Sequence, residues 1–306
     1  CGAATQAPPA ATSAPAEATA APTAAPVATT APAAEPAPSS KYSEAPELAA
    51  KVAAGDLPPV EERLPLEPLV VVPFEEPGEY GGDMRRAGLA LSNHMETYLW
   101  EGFTRWDYRT GSLQITPNIA KSWDVNEDAS EYTFYLREGM KWSDGHPFTA
   151  DDVMFWYEDM ALNEELSPSF PGWLVAAGEP VVISKVDDFT VKFTFSTPYA
   201  ILLEFMCYSG ASNPPFAPRH YLEQFHPNYA DADELAALTE AAGFEEWYQL
   251  FANKFTPSVN PELPSVWAWV PSVEWGAGKT VPALRNPYYF KVDTNGKQLP
   301  YIDRMV

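Results

Sequence analysis

The chain has 306 residues, 32 of them Pro, with 42 acidic against 19 basic side chains, a formal net charge of −23 and two Cys. The acidic excess repels phosphate, so the composition excludes a nucleic-acid-binding protein, and two Cys are too few for a disulfide scaffold. No run approaches the roughly 18 consecutive apolar residues of a spanning helix, so membrane contact requires an anchor.

Residues 1–46 are predicted to form a disordered tether. Up to residue 40 they are nearly all Ala, Pro, Thr and Ser, with Glu17 and Glu35 as the only charges, and such a segment cannot offset the entropy of ordering. A chain that begins Cys1-Gly2 and continues into a tether looks like a mature bacterial lipoprotein, with its signal peptide removed and lipid on Cys1. The alternative is a cloning boundary with an accidental Cys. Two acyl chains on Cys1 would hold the protein at the cell membrane on its extracytoplasmic side, in the periplasm or at the outer face.

Residues 47–79 are predicted to form a Pro-rich spacer, because prolines interrupt its short apolar pieces such as Leu69–Val72. Globular sequence is expected from near Tyr80. Beyond it, alternating apolar residues predict strands. The predicted strands and hairpins are Met84–Leu91, Glu131–Arg137, a hairpin over 181–196, and a hairpin over 290–302 that turns at Asn295-Gly296.

Helical spacing predicts the other elements, and the clearest helix starts at Thr149, with Asp152 as the reciprocal group of a capping box and Phe148 and Val153 as a staple. The mixture predicts an α/β (α+β) domain. The other predicted helices are Asn93–Gly102, Pro218–Phe225, Asp231–Ala242 and Phe244–Ala252.

Motifs for catalysis or metal binding fail on inspection. The run 276–280 ends like a phosphate-binding loop, but Pro282 blocks the helix that would follow it, and the turn 293–296 is better explained as a hairpin than as a calcium loop. The four His have no zinc spacing, and Cys207 is predicted to be a small buried apolar residue. We therefore expect no catalytic residues, no metal and no cofactor, and a protein that is not an enzyme.

Two long stretches carry a resemblance to a known family. The first runs from Ala120 to Val153 and includes Tyr132-Thr133-Phe134-Tyr135-Leu136-Arg137 and Lys141-Trp142-Ser143-Asp144-Gly145; the second runs from Arg285-Asn286-Pro287-Tyr288-Tyr289 to Asp303. With Glu101-Gly102-Phe103 they resemble the extracellular solute-binding proteins of family 5, the peptide and oligopeptide receptors of bacterial ABC importers.

The resemblance implies a bilobed receptor of the type II periplasmic-binding-protein fold that closes over its ligand by a hinge motion. It places residues 80–306 in the solute-binding domain, with lobe I at about 80–107 and 199–306 and a small lobe II at about 108–198. A further large lobe, which carries the main charged ligand contacts in the family, is expected beyond Val306. The implied partners are a peptide ligand and the permease subunits of an ABC transporter, and we expect a monomer.

The resemblance also suggests ligand-binding residues. Ser92 and Asn93 follow the first strand, at an edge that pairs with an extended peptide in the family. Aromatic contacts are expected from Phe170, Trp173, Trp267 and Trp269, with Trp269 favoured, and each could equally be a core aromatic.

Several alternatives stay open at this point. Ten Trp and fifteen Tyr suit stacking on sugar rings, so an oligosaccharide is the second ligand after a peptide. A tethered surface hydrolase and a purely adhesive module are remoter functions. The acidic surface is explained by solubility as well as by attraction of cationic peptides.

Overall fold

The computed structural model describes residues 40–86, 100–109, 111–208, 214–275 and 280–306. The mixed α/β class predicted from the sequence is confirmed, and no helix within these ranges is both long and apolar enough to cross a membrane. The helices are α1 Pro46–Ala54, α2 Val60–Arg63, α3 Ala150–Met154, α4 Leu202–Tyr208, α5 Arg219–Leu222, α6 Ala232–Ala241 and α7 Trp247–Lys254. The strands are β1 Leu69–Val71, β2 Asp83–Met84, β3 Thr104–Asp107, β4 Gln114–Pro117, β5 Ala120–Val125, β6 Glu131–Leu136, β7 Val175–Ala176, β8 Glu179–Pro180, β9 Val182–Asp187, β10 Thr190–Thr194, β11 Trp269–Pro271, β12 Ala283–Arg285, β13 Lys291–Asp293 and β14 Arg304–Met305.

A four-stranded antiparallel sheet of order β5-β6-β10-β9 contains the clearest sequence patterns. Along β6, Tyr132, Phe134 and Leu136 are at most 1% exposed, while the residues between them are half-buried. This alternation places every second side chain of the strand in the core. The strand predicted over 131–137 and the hairpin predicted over 181–196 are therefore confirmed.

The start of α3 is fixed by the capping box predicted at Thr149. Thr149 Oγ1 accepts a hydrogen bond from the Asp151 amide at 3.3 Å, and Asp152 Oδ2 accepts one from the Thr149 amide at 2.9 Å. Asp152 Oδ1 also accepts a bond from the Arg219 amide at 3.1 Å, so one carboxylate joins the starts of α3 and α5. After α3 the chain continues as a π-helical stretch, Phe155–Ala161, most of whose side chains are buried.

Burial of Asp152 predicts a distinct pH dependence of stability. Desolvation raises the pKa of this carboxyl from 3.8 to about 6, although its hydrogen bonds with the amides of Thr149 and Arg219 act to lower it. Because the folded-state pKa is the higher one, the stability contributed by Asp152 is complete below pH 3.8 and is lost as the pH rises through about 6. The expected loss over this window is roughly 3 kcal/mol.

Urea unfolding of the parent and of Asp152→Asn at pH values from 4 to 7 tests this expectation. The other carboxyls titrate alike in both proteins, so the difference between the two curves isolates Asp152. The parent should lose stability relative to the variant as the pH rises, and parallel curves would contradict the prediction.

Two other sheets, one of four strands and one of two, join distant parts of the chain. β2 pairs in parallel with β14 at one edge of the sheet β11-β12-β14-β2, and β1 pairs in parallel with β13. The predicted turn at 293–296 is confirmed, since the Gly296 amide donates to the Asp293 carbonyl at 3.1 Å and Gly296 has a φ of 77°. The left-handed region is open to Gly without strain.

The folded region begins earlier than the sequence analysis placed it. Helix α1 begins at Pro46, and Glu44 is ion-paired, so the predicted disordered tether 1–46 is wrong over its described end. The segment 47–79, predicted as a spacer before globular sequence near Tyr80, contains the rest of α1, α2 and β1. Its Arg63 is fully buried and donates hydrogen bonds to Gln298 Oε1 at 2.9 Å and to the Pro287 carbonyl, while it forms an ion pair with Glu44. The prolines therefore limit the length of the helices and the strand in this segment, but they do not prevent the segment from packing against the domain.

Other predicted elements are confirmed with shifted ends or lie partly outside the described ranges. The predicted helix at 218–225 is α5 followed by a 3₁₀ turn, and the predicted helices at 231–242 and 244–252 are α6 and α7. Residues 87–91 of the predicted strand at 84–91 lie outside the described residues, and so do residues 93–99 of the predicted helix at 93–102. The described end of that helix, residues 100–102, is not helical.

A buried polar network lies beneath the second family-like stretch. Lys291 Nζ contacts both carboxylate oxygens of Glu101, at 2.7 and 2.9 Å, and both residues are less than 10% exposed. The Tyr289 hydroxyl and Asn118 Nδ2 also donate to Glu101, the latter at 2.7 Å. Burial lowers the pKa of the Lys291 ammonium, while the Glu101 carboxylate acts to raise it. The network links β13 to the chain that enters β3.

Candidate functional site

A cavity of about 330 Å³ lies between the turn of the first family-like stretch and the Pro-rich segment 255–267. Its volume is within the range of about 300–1,000 Å³ that small-molecule pockets occupy. Six aromatic side chains contribute to its walls: Trp100, Trp142, Phe216, Phe255, Trp267 and Trp275.

Local hydrogen bonds fix the walls of the cavity. Two hydrogen bonds join Ser143 and Ser265. The Ser143 amide donates to the Ser265 carbonyl at 2.9 Å, and the Ser265 amide donates to Ser143 Oγ at 3.0 Å. Asn260 Nδ2 donates to the Lys254 carbonyl at 2.6 Å, and Asn286 Nδ2 donates to the Trp267 carbonyl at 2.8 Å. These bonds, together with the fixed φ of four prolines between residues 255 and 271, hold the wall in one conformation.

The cavity wall carries no ionisable side chain among the described residues. Its polar side chains are Thr256, Ser258, Asn260 and Ser265. Ser265 is only 6% exposed, and its hydroxyl has no hydrogen-bond partner in the described part of the chain. The wall therefore suits an uncharged molecule that offers both apolar faces and hydroxyl or amide groups.

Of the described ligand-binding residues predicted from the sequence, only Trp267 borders this cavity. Trp269 is half-buried in β11, and its indole N–H donates to the Ile302 carbonyl at 3.1 Å. Phe170 packs edge-on against Tyr157, and the Trp173 ring lies 6.1 Å from that of Phe205. Trp267 and Trp269 both pack against Ala283 and Met305, but of the four predicted aromatics only Trp267 reaches the cavity. Three further predicted positions, Cys1, Ser92 and Asn93, lie outside the described residues.

The described histidines form packing contacts. The rings of His146 and His220 stack at 3.9 Å, and His220 Nε2 lies 2.7 Å from an Asp144 carboxylate oxygen. His226 is 1% exposed and contacts the Asp159 carbonyl at 3.2 Å. Within the described ranges no three His, Cys, Asp or Glu side chains are placed to hold a metal ion.

Cys207 is a half-buried free thiol rather than a fully buried apolar residue. Its Sγ lies 3.2 Å from Thr104 Oγ1. Burial raises the pKa of the Cys207 thiol to about 11, so the thiolate is scarce at neutral pH.

Comparison with known proteins decides the family. Residues 114–306 match the bacterial extracellular solute-binding proteins of family 5, over the middle part of that family's sequence. The chain belongs to this family. The resemblance carried by Trp142-Ser143-Asp144-Gly145 and by Arg285-Asn286-Pro287-Tyr288-Tyr289 is thereby confirmed, together with the incomplete type II periplasmic-binding-protein fold that it implied.

Three relatives match most of the chain. A periplasmic alpha-galactoside-binding protein of Rhizobium meliloti is 36% identical over 274 residues, which are 83% of this chain and 37% of the relative. A solved structure of the oligopeptide-binding protein OppA is 41% identical with a TM-score of 0.78, over 86% of this chain and 41% of that one. The structure of MelB from Agrobacterium fabrum in complex with stachyose is 34% identical with a TM-score of 0.66, over 86% of this chain and 40% of that one. The chain therefore spans about two fifths of the length of these relatives.

Sequence reasoning missed Ser265 and Trp275 as lining residues. The visible signal was the recurrence of Pro at 257, 261 and 264, which predicts a rigid irregular wall rather than a helix or strand. An unpaired buried hydroxyl has no sequence signature, because it depends on which groups the fold brings near it.

Proposed function

We propose that the full-length protein is the ligand-capturing component of an ABC importer. It binds its ligand outside the cytoplasmic membrane and delivers it to permease subunits, without chemical conversion. Membership of the family supports the binding role. In this proposal the residues before Ser40 are the tether, lipid on Cys1 holds the protein at the membrane, and the ligand is enclosed when the lobes rotate together.

The domain division remains part of the proposal. Lobe I comprises about 80–107 and 199–306, and lobe II about 108–198. Because β1 pairs with β13, and Val60 and Arg63 of α2 contact Val292 and Gln298, we assign residues 40–79 to lobe I as well.

The ligand that the geometry favours is a neutral oligosaccharide. The observation that carries this choice is the aromatic cavity whose described wall has no charged side chain. Aromatic faces pack against the C–H faces of sugar rings, and neutral hydroxyl and amide groups fix orientation without the cost of burying a charge. The matches to an alpha-galactoside-binding protein and to a stachyose complex support the same class.

An oligopeptide is the second candidate. It is favoured by the similarity to OppA at 41% identity. A peptide brings charged termini, so this candidate requires charged contacts from outside the cavity described above.

Titration calorimetry of the full-length protein with stachyose, raffinose and a mixed tripeptide pool tests the proposal. We expect the calorimetry to show binding to the saccharides. In urea unfolding, the free energy of unfolding should rise by about 2.7 kcal/mol at a hundredfold ligand excess over Kd. Trp267→Ala should weaken saccharide binding, whereas Trp106→Ala, a half-buried Trp in β3 away from the cavity, should not. Binding to peptides alone would establish the second candidate, and binding to neither class would refute the proposed function.

A further inference from the structure

The hydroxyl of Ser265 is a buried polar group without a protein partner in the described part of the chain. The residue is 6% exposed, its own amide and carbonyl are already bonded to Ser143, and its Oγ is left unpaired. Leaving a buried hydroxyl unpaired costs about 1–3 kcal/mol, so such a group calls for a partner that comes from outside the fold. The only open space that the structure places beside Ser265 among its described pockets is the aromatic cavity.

The indole N–H of Trp275 repeats the observation at a second point on the same wall. Its Nε1 is buried and has no partner among the described residues, while its backbone amide is fixed to the Ser258 carbonyl at 2.8 Å. An indole N–H can only donate, whereas a Ser hydroxyl can donate and accept. A ligand hydroxyl can therefore accept from Trp275, and a ligand hydroxyl can either donate to Ser265 or accept from it.

The rest of the wall limits what that ligand can be. No described lining residue carries a charge, so an ammonium or carboxylate entering the cavity would lose its hydration without a counter-ion. Trp100, Trp267 and Phe255 supply apolar faces on the wall of the same cavity. A ring that has C–H faces and hydroxyl edges satisfies both demands.

We propose that this cavity is a subsite for one neutral pyranose ring, in which Ser265 Oγ and Trp275 Nε1 bind ring hydroxyls and determine specificity. The inference rests on the proposed oligosaccharide ligand and deepens it by naming the residues that read the hydroxyl pattern. Peptide side chains that carry charge are rejected from this subsite by the same wall.

The test measures stachyose binding to the full-length protein by calorimetry, with Ser265→Ala and Trp275→Phe as variants. Ser265→Ala removes only the hydroxyl, so it should weaken binding about tenfold, the factor that corresponds to about 1.4 kcal/mol. Trp275→Phe removes the indole N–H together with part of the ring, so it should weaken binding at least as much. Ser272→Ala is the matched control, because Ser272 is exposed and its hydroxyl donates to the Pro282 carbonyl at 2.8 Å outside the cavity. It should change the affinity less than about twofold.

If Ser265 had a merely structural role, Ser265→Ala would lower the Tm of the unliganded protein. The inference predicts instead that the Tm stays unchanged or rises, because the substitution removes a buried polar group that has no described protein partner. Monodeoxy analogues of melibiose then identify the sugar group. The analogue lacking the contacted hydroxyl should bind the parent about tenfold more weakly than melibiose, and Ser265→Ala should bind both equally.

The outcomes separate the inference from the proposed function. Undiminished stachyose binding by both variants would overturn the inference and leave oligosaccharide capture intact. Failure of every saccharide to bind the parent would overturn both the inference and the first ligand candidate, and the tripeptide pool then decides whether the binding role itself survives.

Discussion

Replacing Lys291 by Met is expected to lower the free energy of unfolding by about 3–5 kcal/mol. The substitution keeps the length of the apolar stem but removes the ammonium that neutralises Glu101, a residue 8% exposed. The carboxylate would keep its hydrogen bonds from Tyr289 and Asn118 but would lose its counter-ion in a buried site. Chemical denaturation followed by Trp fluorescence measures the loss.

Two companion variants make the Lys291 prediction specific. Lys192→Met breaks an ion pair of similar length, 2.8 Å to Glu131, whose side chains are 36% and 39% exposed, and it should cost less than about 1 kcal/mol. The double variant Lys291→Met with Glu101→Gln removes both charges, and the Gln oxygen can accept from Asn118 while its NH2 group donates to the Tyr289 hydroxyl. It should recover more than half of the stability lost in the single variant, and equal losses from Lys291→Met and Lys192→Met would contradict the assigned role of burial.

Gly102→Ala is expected to destabilise the protein by more than about 3 kcal/mol, at the upper end of what overpacking costs. A Cβ at this position would overlap with the carbonyl oxygen of Met206, a backbone atom near the end of α4. The Gly102 carbonyl meanwhile accepts hydrogen bonds from Asn118 Nδ2 at 2.8 Å and from the Ile119 amide at 3.3 Å, so the chain cannot move away from α4 freely. Thermal unfolding of the purified variant tests this expectation.

Gly172→Ala is the matched control for Gly102→Ala. No atom lies within 4 Å of the Cβ that the substitution would add, and Gly172 does not have a positive φ. Its effect should be within about 1 kcal/mol of zero. A mild effect at Gly102, comparable to that at Gly172, would show that α4 can shift to admit a methyl group.

These two predictions give a physical meaning to the early Glu101-Gly102-Phe103 element. From the sequence alone, this element is visible only as part of a family resemblance. In the structure Glu101 is the acceptor of a buried network, Gly102 allows close approach of α4, and Phe103 is fully buried with its ring 5.3 Å from that of Phe134. Three adjacent residues therefore join three separate parts of the core.

Local elements were predictable because neighbouring residues decide them. Thr149 and Asp152 are three positions apart, so their capping box could be identified without knowing the fold. The alternation of Tyr132, Phe134 and Leu136 likewise follows from the strand period. The predicted spacer was wrong about where packing begins, because Arg63 is buried through partners more than 200 residues away.

The candidate site was predictable only in part. Trp267 was selected from its place before Arg285 and does border the cavity, but Trp269 and Phe170 do not line it. The choice among aromatic residues could not be made from spacing, because a core Trp and a ligand-facing Trp have the same local sequence pattern.

By itself the sequence determined the family, the mixed α/β class, the β6 strand, the 181–196 hairpin and the capped start of α3. Each of these depends on residues that are close along the chain or on motifs that keep their order. Only the tertiary structure decided that residues 40–79 join the domain, that Glu101 meets Lys291, and that Ser265 and Trp275 border one uncharged cavity. These features arise from contacts between segments far apart in sequence, and burial of a polar group has physical consequences only when the surrounding atoms are known.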